Sequence, residues 1–170
     1  VIMSKPNVPL IDLQEASKDK DQLRLLDSAC RDHGFFLLKN HGMQEEINNM
    51  WSMSEWFFAQ QREDKLKLLR SEEIPLGFYD RELTKQKRDL KEVFDFMETR
   101  SEKDINQWPD EPLFRETMES FFKKSSEVAK ETLDLILLCL GISKNDLIFG
   151  DSKTSNARLN FYPVDDPLSL

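Results

Sequence analysis

The stretch Asn156-Ala-Arg-Leu-Asn-Phe-Tyr-Pro163 sets an arginine, an amide and a phenol at alternate positions. Alternate side chains of a strand share a face. Arg158, Asn160 and Tyr162 therefore point one way, and Ala157, Leu159 and Phe161 the other. One cation, one amide and one phenol suit a polar pocket, where they can hold a dicarboxylate by charge-assisted and neutral hydrogen bonds. The same alternation also describes an ordinary amphipathic strand with a solvated face, and the pattern alone leaves both readings open. The two histidines are the other candidates for chemistry. A non-haem iron site needs two imidazoles and a carboxylate on one face of the metal, in the usual local form His-x-Asp or His-x-Glu. His33 is followed by Gly34-Phe35 and His41 by Gly42-Met43, so neither supplies that pair. His33 reads instead as a helix-terminal residue suited to the dipole, and His41 as a turn residue. No catalytic residue and no metal ligand is assigned to the chain.

The elements that must position these groups follow from periodicity. Val8 to Leu13 reads as a short strand, with Pro9 near its start, where a missing donor is tolerated. A helix begins at Asp19, where Asp19 with Gln22 resembles a capping box; Leu23, Leu26, Cys30 and His33 share one face, and Gly34 supplies a left-handed end. Phe35 to Lys39 is expected as a buried strand. Met43, Ile47, Met50, Trp51, Phe57 and Phe58 recur at helical spacing, which predicts an amphipathic helix over residues 43 to about 60. Pro75 to Asp80 reads as a turn containing Gly77, and Arg81 to Glu92 as a solvated turn and strand approach. Lys91 to Met97 reads as a strand with Phe94 and Phe96 on one face and Lys91 with Glu92 as an edge ion pair.

Trp108 and Pro109 form a packed turn before the longest predicted helix. That helix carries Pro112 in its first turn and stops at Gly141. Phe114, Met118, Phe121, Ser125, Ala129, Thr132, Ile136 and Leu140 draw one stripe along it, and Ser143 with Asp146 caps one more helical turn. The order is strand, helix, strand, helix, strand, long helix, strand: a mixed α/β fold with no internal repeat.

Composition bounds the class of function. The 170 residues are 39% hydrophobic and 33% charged, which reads as globular rather than disordered. A formal charge of −8 argues against nucleic acid or an anionic membrane as partner, since phosphate binding needs a basic stripe. The longest apolar run, Leu135 to Leu140, is far short of the roughly 20 residues that span a bilayer. Cys30 and Cys139 both fall in predicted helices and are not spaced as a metal clip, so a reducing, cytoplasmic setting is expected. The chain opens at Val1 with Met3 behind it, and both of its ends read as trimmed.

Two stretches carry a resemblance. Asp32-His-Gly-Phe-Phe-Leu-Leu-Lys-Asn-His-Gly42 resembles the N-terminal signature of the isopenicillin-N-synthase-like branch of the 2-oxoglutarate- and Fe(II)-dependent dioxygenases. Arg158-Leu-Asn-Phe-Tyr-Pro163 is similar to the family's Arg-Leu-Asn-Tyr-Tyr-Pro at the start of its catalytic barrel, with Phe161 in place of the first tyrosine. Further matches fall in order along the chain: Val8-Pro-Leu-Ile-Asp-Leu13, Phe57-Phe58 with Lys65, Gly77-Phe-Tyr79, Asp89-Leu-Lys-Glu92 with Phe94, and Asn106-Gln-Trp-Pro109.

The resemblance implies a double-stranded β-helix (jelly roll) oxygenase with an N-terminal helix-and-strand extension. Residues 1–155 would be that N-terminal domain, and 156–170 the start of the catalytic jelly roll. It implies oxidation of a small organic substrate with O2 and 2-oxoglutarate at Fe(II). In relatives the groups at the Asn160 and Tyr162 positions contact 2-oxoglutarate, and only these two cofactor-binding residues are carried over. Relatives also use the Phe78-Tyr79 loop to reach substrate. The iron ligands and the arginine that grips the distal carboxylate are absent from these 170 residues, so the chain alone is expected to be inactive and to bind neither cofactor tightly. Two alternatives stand beside this reading: a non-catalytic truncated form or interaction module, and an iron oxidase of the same family that needs no 2-oxoglutarate. Substrate identity and oligomeric state are not legible.

Overall fold

The computed structural model describes residues 7–99, 105–147 and 155–165. The chain divides into two compact units, residues 1–44 with 125–151 and residues 45–124 with 152–170.

In the first unit, β1 (Leu10–Asp12) pairs in parallel with β2 (Leu37–Lys39), Leu10 lying opposite Leu37. Asp12 ends β1 and caps α1 (Leu13–Ala16), its Oδ1 accepting from the Glu15 amide at 3.3 Å. Asp19 caps α2 (Lys20–Ser28) by accepting from the Asp21 amide at 2.8 Å. The expected capping box does not form, because Gln22 turns to β1 and its Oε1 accepts from the Asp12 amide at 3.0 Å. Helix α2 widens into one π turn (Ala29–His33) and stops at Gly34, whose φ of 75° is the left-handed end the sequence predicts.

Ile11, Leu13, Ala16, Leu26 and Leu135 form the core of this unit, with Phe36, Leu38 and Cys139 packed against it. The strand read as buried is half-buried. Period-two alternation turns Phe36 and Leu38 to the core and leaves Phe35 and Leu37 59% and 57% exposed. Asp12 closes the end of the ladder, accepting from Asn40 Nδ2 at 2.7 Å and lying 3.4 Å from Lys39 Nζ. Burial acts to raise its pKa, but these partners and the Glu15 amide outweigh burial and hold it below the ordinary aspartate value. Ser143 caps a 3-10 turn (Lys144–Asp146), as its sequence predicts.

In the second unit, α3 (Gln44–Phe58) and α4 (Arg62–Leu66) precede a three-stranded antiparallel sheet in the order β3 (Gly77–Tyr79), β6 (Glu92–Met97), β7 (Asn156–Phe161). Within the segment read as a turn over 75–80, Gly77–Tyr79 is therefore a strand. Gly77 permits it: its φ is 109°, and a Cβ there would collide with the Leu68 carbonyl oxygen and the Gln107 amide. The run read as a solvated turn folds into a hairpin of β4 (Leu83–Thr84) and β5 (Lys87–Arg88). Lys85 and Gln86 take φ of 51° and 65°, as a two-residue primed turn requires.

Helix α5 (Pro112–Leu140) opens with Pro112 as its first residue, and its leading turns contribute Phe114 and Met118 to a core with Met50, Phe57, Phe58, Phe78, Phe94, Phe96 and Leu159. Trp108 packs on this core as expected, its ring 5.6 Å from that of Phe96. The Lys91–Glu92 pair does not form: Lys91, just before β6, turns to Glu82 and Asp89. Glu92 instead meets Lys65 at 2.6 Å, both side chains nearly dry, and Lys65 Nζ also donates to the Phe58 carbonyl at 2.9 Å. Among the described residues no helix is long and apolar enough to cross a membrane.

Candidate functional site on the open face of the sheet

The register of the second unit's sheet sorts the chemistry-bearing residues. Phe78, Phe94 and Leu159 stand in one row across the three strands and belong to the core. The neighbouring rows, Tyr79–Val93–Asn160 and Gly77–Asp95–Arg158, look the other way. The predicted division of β7 therefore holds: Ala157 and Leu159 pack inward, and Arg158 and Asn160 lie on the opposite face.

Arg158 is not available to a dicarboxylate. Its Nε and Nη2 donate to the two oxygens of Asp95 at 2.6 and 2.8 Å, a two-pronged fork, and its Nη1 donates to Glu82 at 2.8 Å. Asp95 is buried, with 3% of its surface exposed. Arg70 reinforces the cluster, donating to Asp95 at 3.3 Å and Glu82 at 3.2 Å while its guanidinium lies 4.0 Å over the Tyr79 ring. Lys91 completes it at 3.1 Å from Glu82 and 3.2 Å from Asp89. Arg70, Lys91 and Arg158 thus balance Glu82, Asp89 and Asp95.

The electrostatics match the geometry. Burial pushes Glu82 up, but the Lys91 hydrogen bond and the charges of Arg158, Lys91 and Arg70 bring it below the ordinary glutamate value. The hydrogen bond from Arg158 to Asp95 holds its guanidinium more firmly protonated than usual, against a smaller opposing effect of burial.

Asn160 and Tyr162 are different. Both are exposed, Tyr162 by 64%, and neither side chain is bonded to another described residue. Like Asn156 at the start of β7, they are donors with no bond to a described residue, and Tyr162 lies one residue past the end of the strand. Phe161 stacks on Phe58 with 5.2 Å between ring centroids and borders an apolar groove of about 610 Å³ along α3 and β7, lined also by Met50, Trp51 and Phe121.

The histidines take structural positions. The His33 ring meets Phe35 edge-on at 6.2 Å, and His41 Nδ1 accepts from the Met43 amide at 3.2 Å. Among the described residues no group of three or more His, Cys, Asp or Glu is placed to hold a metal ion. Asp95, Glu82 and Arg70 were not singled out from the sequence. Asp95 lies 63 residues from Arg158 and 25 from Arg70, so only strand pairing reveals the cluster. The available signal was Asp95 alternating with Phe94 and Phe96 in a strand.

Residues 8–111 match the family described as non-haem dioxygenase in morphine synthesis N-terminal, and the chain belongs to it and, as an N-terminal half, to the 2-oxoglutarate/Fe(II) dioxygenase superfamily. Gibberellin 20 oxidase 1 of Arabidopsis thaliana is 30% identical over 92% of this chain and 46% of its own length. The 2-oxoglutarate-Fe(II) type oxidoreductase ppzD of Metarhizium majus is 29% identical over 92% of this chain and 54% of its own. A full-length Neurospora crassa protein solved in complex with alpha-KG superposes with a TM-score of 0.76 at 26% identity, over 92% of this chain and 54% of that one. The chain spans about half the length of the curated relatives it matches.

Proposed function

We propose that this chain is the N-terminal portion of an oxygenase that oxidises a small organic substrate with O2 and 2-oxoglutarate at Fe(II). Residues 1–155 serve as its N-terminal domain, and 156–170 begin its catalytic jelly roll. The observation that carries the reading is the state of Asn160 and Tyr162: exposed and bonded to no described residue, in a segment whose arginine is already neutralised. An amide and a phenol fit one carboxylate of 2-oxoglutarate, each offering a neutral donor. This reading assigns the metal ligands and a cation for the distal carboxylate to residues outside this segment, whose own arginine is committed to Asp95 and Glu82.

When bound, 2-oxoglutarate supplies the electrons for oxygen activation, becoming succinate and carbon dioxide, while the protein orients it and keeps water out. In this chain Asn160 and Tyr162 would orient the co-substrate by hydrogen bonds. The phenylalanine-rich core behind β7 gives that strand a dry backing.

Oxygen uptake by the full-length enzyme carrying this segment, with and without 2-oxoglutarate, tests the reading. Uptake that depends on 2-oxoglutarate and yields succinate is the expected result. Uptake without it would favour an oxoglutarate-independent iron oxidase, and no uptake a non-catalytic module. The 170-residue chain alone is expected to form no succinate and to hold Fe(II) weakly; tight iron binding with succinate formation would refute that.

A further inference from the structure

We propose that Asp95 is the positioning residue of this face: its fork to Arg158 sets where β7 presents Asn160 and Tyr162. The inference rests on the co-substrate reading above and adds a residue and a mechanism to it. A strand at the edge of a sheet is free to slip or fray, and a slip of one residue would exchange the faces of every side chain on it. Among the described residues β7 pairs on one side only, with β6. Ala157 and Leu159 hold its inward face in the core, and the fork holds the face that carries Asn160.

The fork does so at a well-chosen point. Asp95 and Arg158 are direct partners in the β6–β7 register, and Asn160 is the next residue of β7 on the same face. The two prongs, at 2.6 and 2.8 Å, fix the guanidinium plane as well as its distance. Asp95 is itself anchored. It is buried, it lies opposite Gly77 on β3, and it takes a further hydrogen bond from Arg70, which stacks on Tyr79. One carboxylate on β6 thus ties β7 to the segment after α4, and Arg70 carries the link on to Tyr79 of β3. Asp95 touches neither proposed ligand-binding group and acts through Arg158.

The first test uses the full-length enzyme that carries this segment, by hydrogen exchange at the backbone amides of β7. Asp95→Asn removes one charge of the fork, and Arg158→Lys keeps the cation but loses the planar two-pronged geometry. Both variants are expected to speed exchange in Asn156–Phe161 by roughly tenfold, the worth of a hydrogen bond to a charged group, while exchange in α2 stays as it was. Unchanged β7 exchange in both variants would overturn the proposal, as would a uniform rise across the chain.

The second test uses the full-length enzyme and reads KM for 2-oxoglutarate separately from kcat. Asp95→Asn and Arg158→Lys should each raise that KM by roughly tenfold with a smaller change in kcat. If Arg158 acted only by its charge, Arg158→Lys would behave as wild type, and that result would overturn the proposal. Tyr162→Phe separates the two layers of argument. If Tyr162→Phe raises KM and Asp95→Asn does not, the co-substrate site stands and the positioning role falls. If neither variant moves KM, the co-substrate reading itself is wrong, and the positioning role falls with it.

Discussion

Lys65 and Glu92 meet at 2.6 Å inside the phenylalanine core, 27 residues apart in sequence. The pair ties α4 to the start of β6, and the second bond of Lys65, to the Phe58 carbonyl, satisfies the last residue of α3. Phe58 in turn stacks on Phe161, which lies opposite Glu92 in the ladder. One buried cation therefore ties the end of α3 to the start of β6, the strand that pairs with β7 at the apolar groove.

Breaking this pair from one side strands a charge in a dry site. Lys65→Met or Glu92→Leu alone should cost about 3–5 kcal/mol, whereas the double variant, which removes both charges, should recover most of that loss. Urea unfolding of the three variants provides the measurement. Equal and additive losses would show the pair to be solvated in solution.

Much of this arrangement was legible from residue patterns. The stripe from Phe114 to Leu140 gave the extent of helix α5, although toward its end Leu135 and Leu137 are the buried residues and Leu140 is exposed; alternation gave β6 and the two faces of β7. The errors lie where a tertiary partner decides. Gln22 leaves Asp19 for the Asp12 amide, and Glu92 leaves Lys91 for Lys65. The segment Gly77–Tyr79 is a strand because β6 and the Leu68 carbonyl receive it, though glycine and proline nearby read locally as a turn. Arg158 had the right face and the wrong availability, since its partners come from 63 and 76 residues away.

Acid should loosen the polar face. Glu82 is held below its ordinary value in the fold, so its contribution to stability is complete above the unfolded value near about 4.3 and is lost as pH falls through the lower folded one. Glu82→Gln should therefore be less stable than wild type by a constant margin above about pH 5, and the margin should shrink below about pH 4. Denaturant titrations of both proteins between neutral pH and pH 3 give the comparison. A margin that grew in acid would mean that the fold raises the Glu82 pKa instead of lowering it.

Exposed apolar surface predicts self-association of the isolated chain. Leu10, Phe35 and Leu37 lie on the outward face of the β1–β2 ladder with 46%, 59% and 57% exposure, and Trp51 is 59% exposed beside the groove along β7. Unpaired strand edges and uncovered apolar patches both recruit other chains. The chain should bind a hydrophobic dye and sediment as a mixture, and Leu37→Lys with Trp51→Lys should lower both signals. A monodisperse wild-type monomer with a sharp melt would point to a self-contained domain.

The last prediction separates packing from co-substrate binding on adjacent residues. A fully buried Phe161 would cost roughly 3–5 kcal/mol on truncation to alanine. The ring is 38% exposed and makes its stack with Phe58 at the rim of the core, so Phe161→Ala should cost less, about 1–2 kcal/mol. Tyr162→Phe keeps its ring and removes only a hydroxyl that bonds no described residue, so stability should hardly change. In the full-length enzyme the ranking should reverse. A hydrogen bond to a charged carboxylate is worth about 1.5–3 kcal/mol, so Tyr162→Phe should weaken 2-oxoglutarate binding roughly ten- to a hundredfold. Phe161→Ala should leave that affinity nearly intact in the folded fraction. Thermal melts and co-substrate titrations on the same two variants decide it. If Tyr162→Phe binds 2-oxoglutarate as tightly as wild type, the open face of the sheet does not hold the co-substrate.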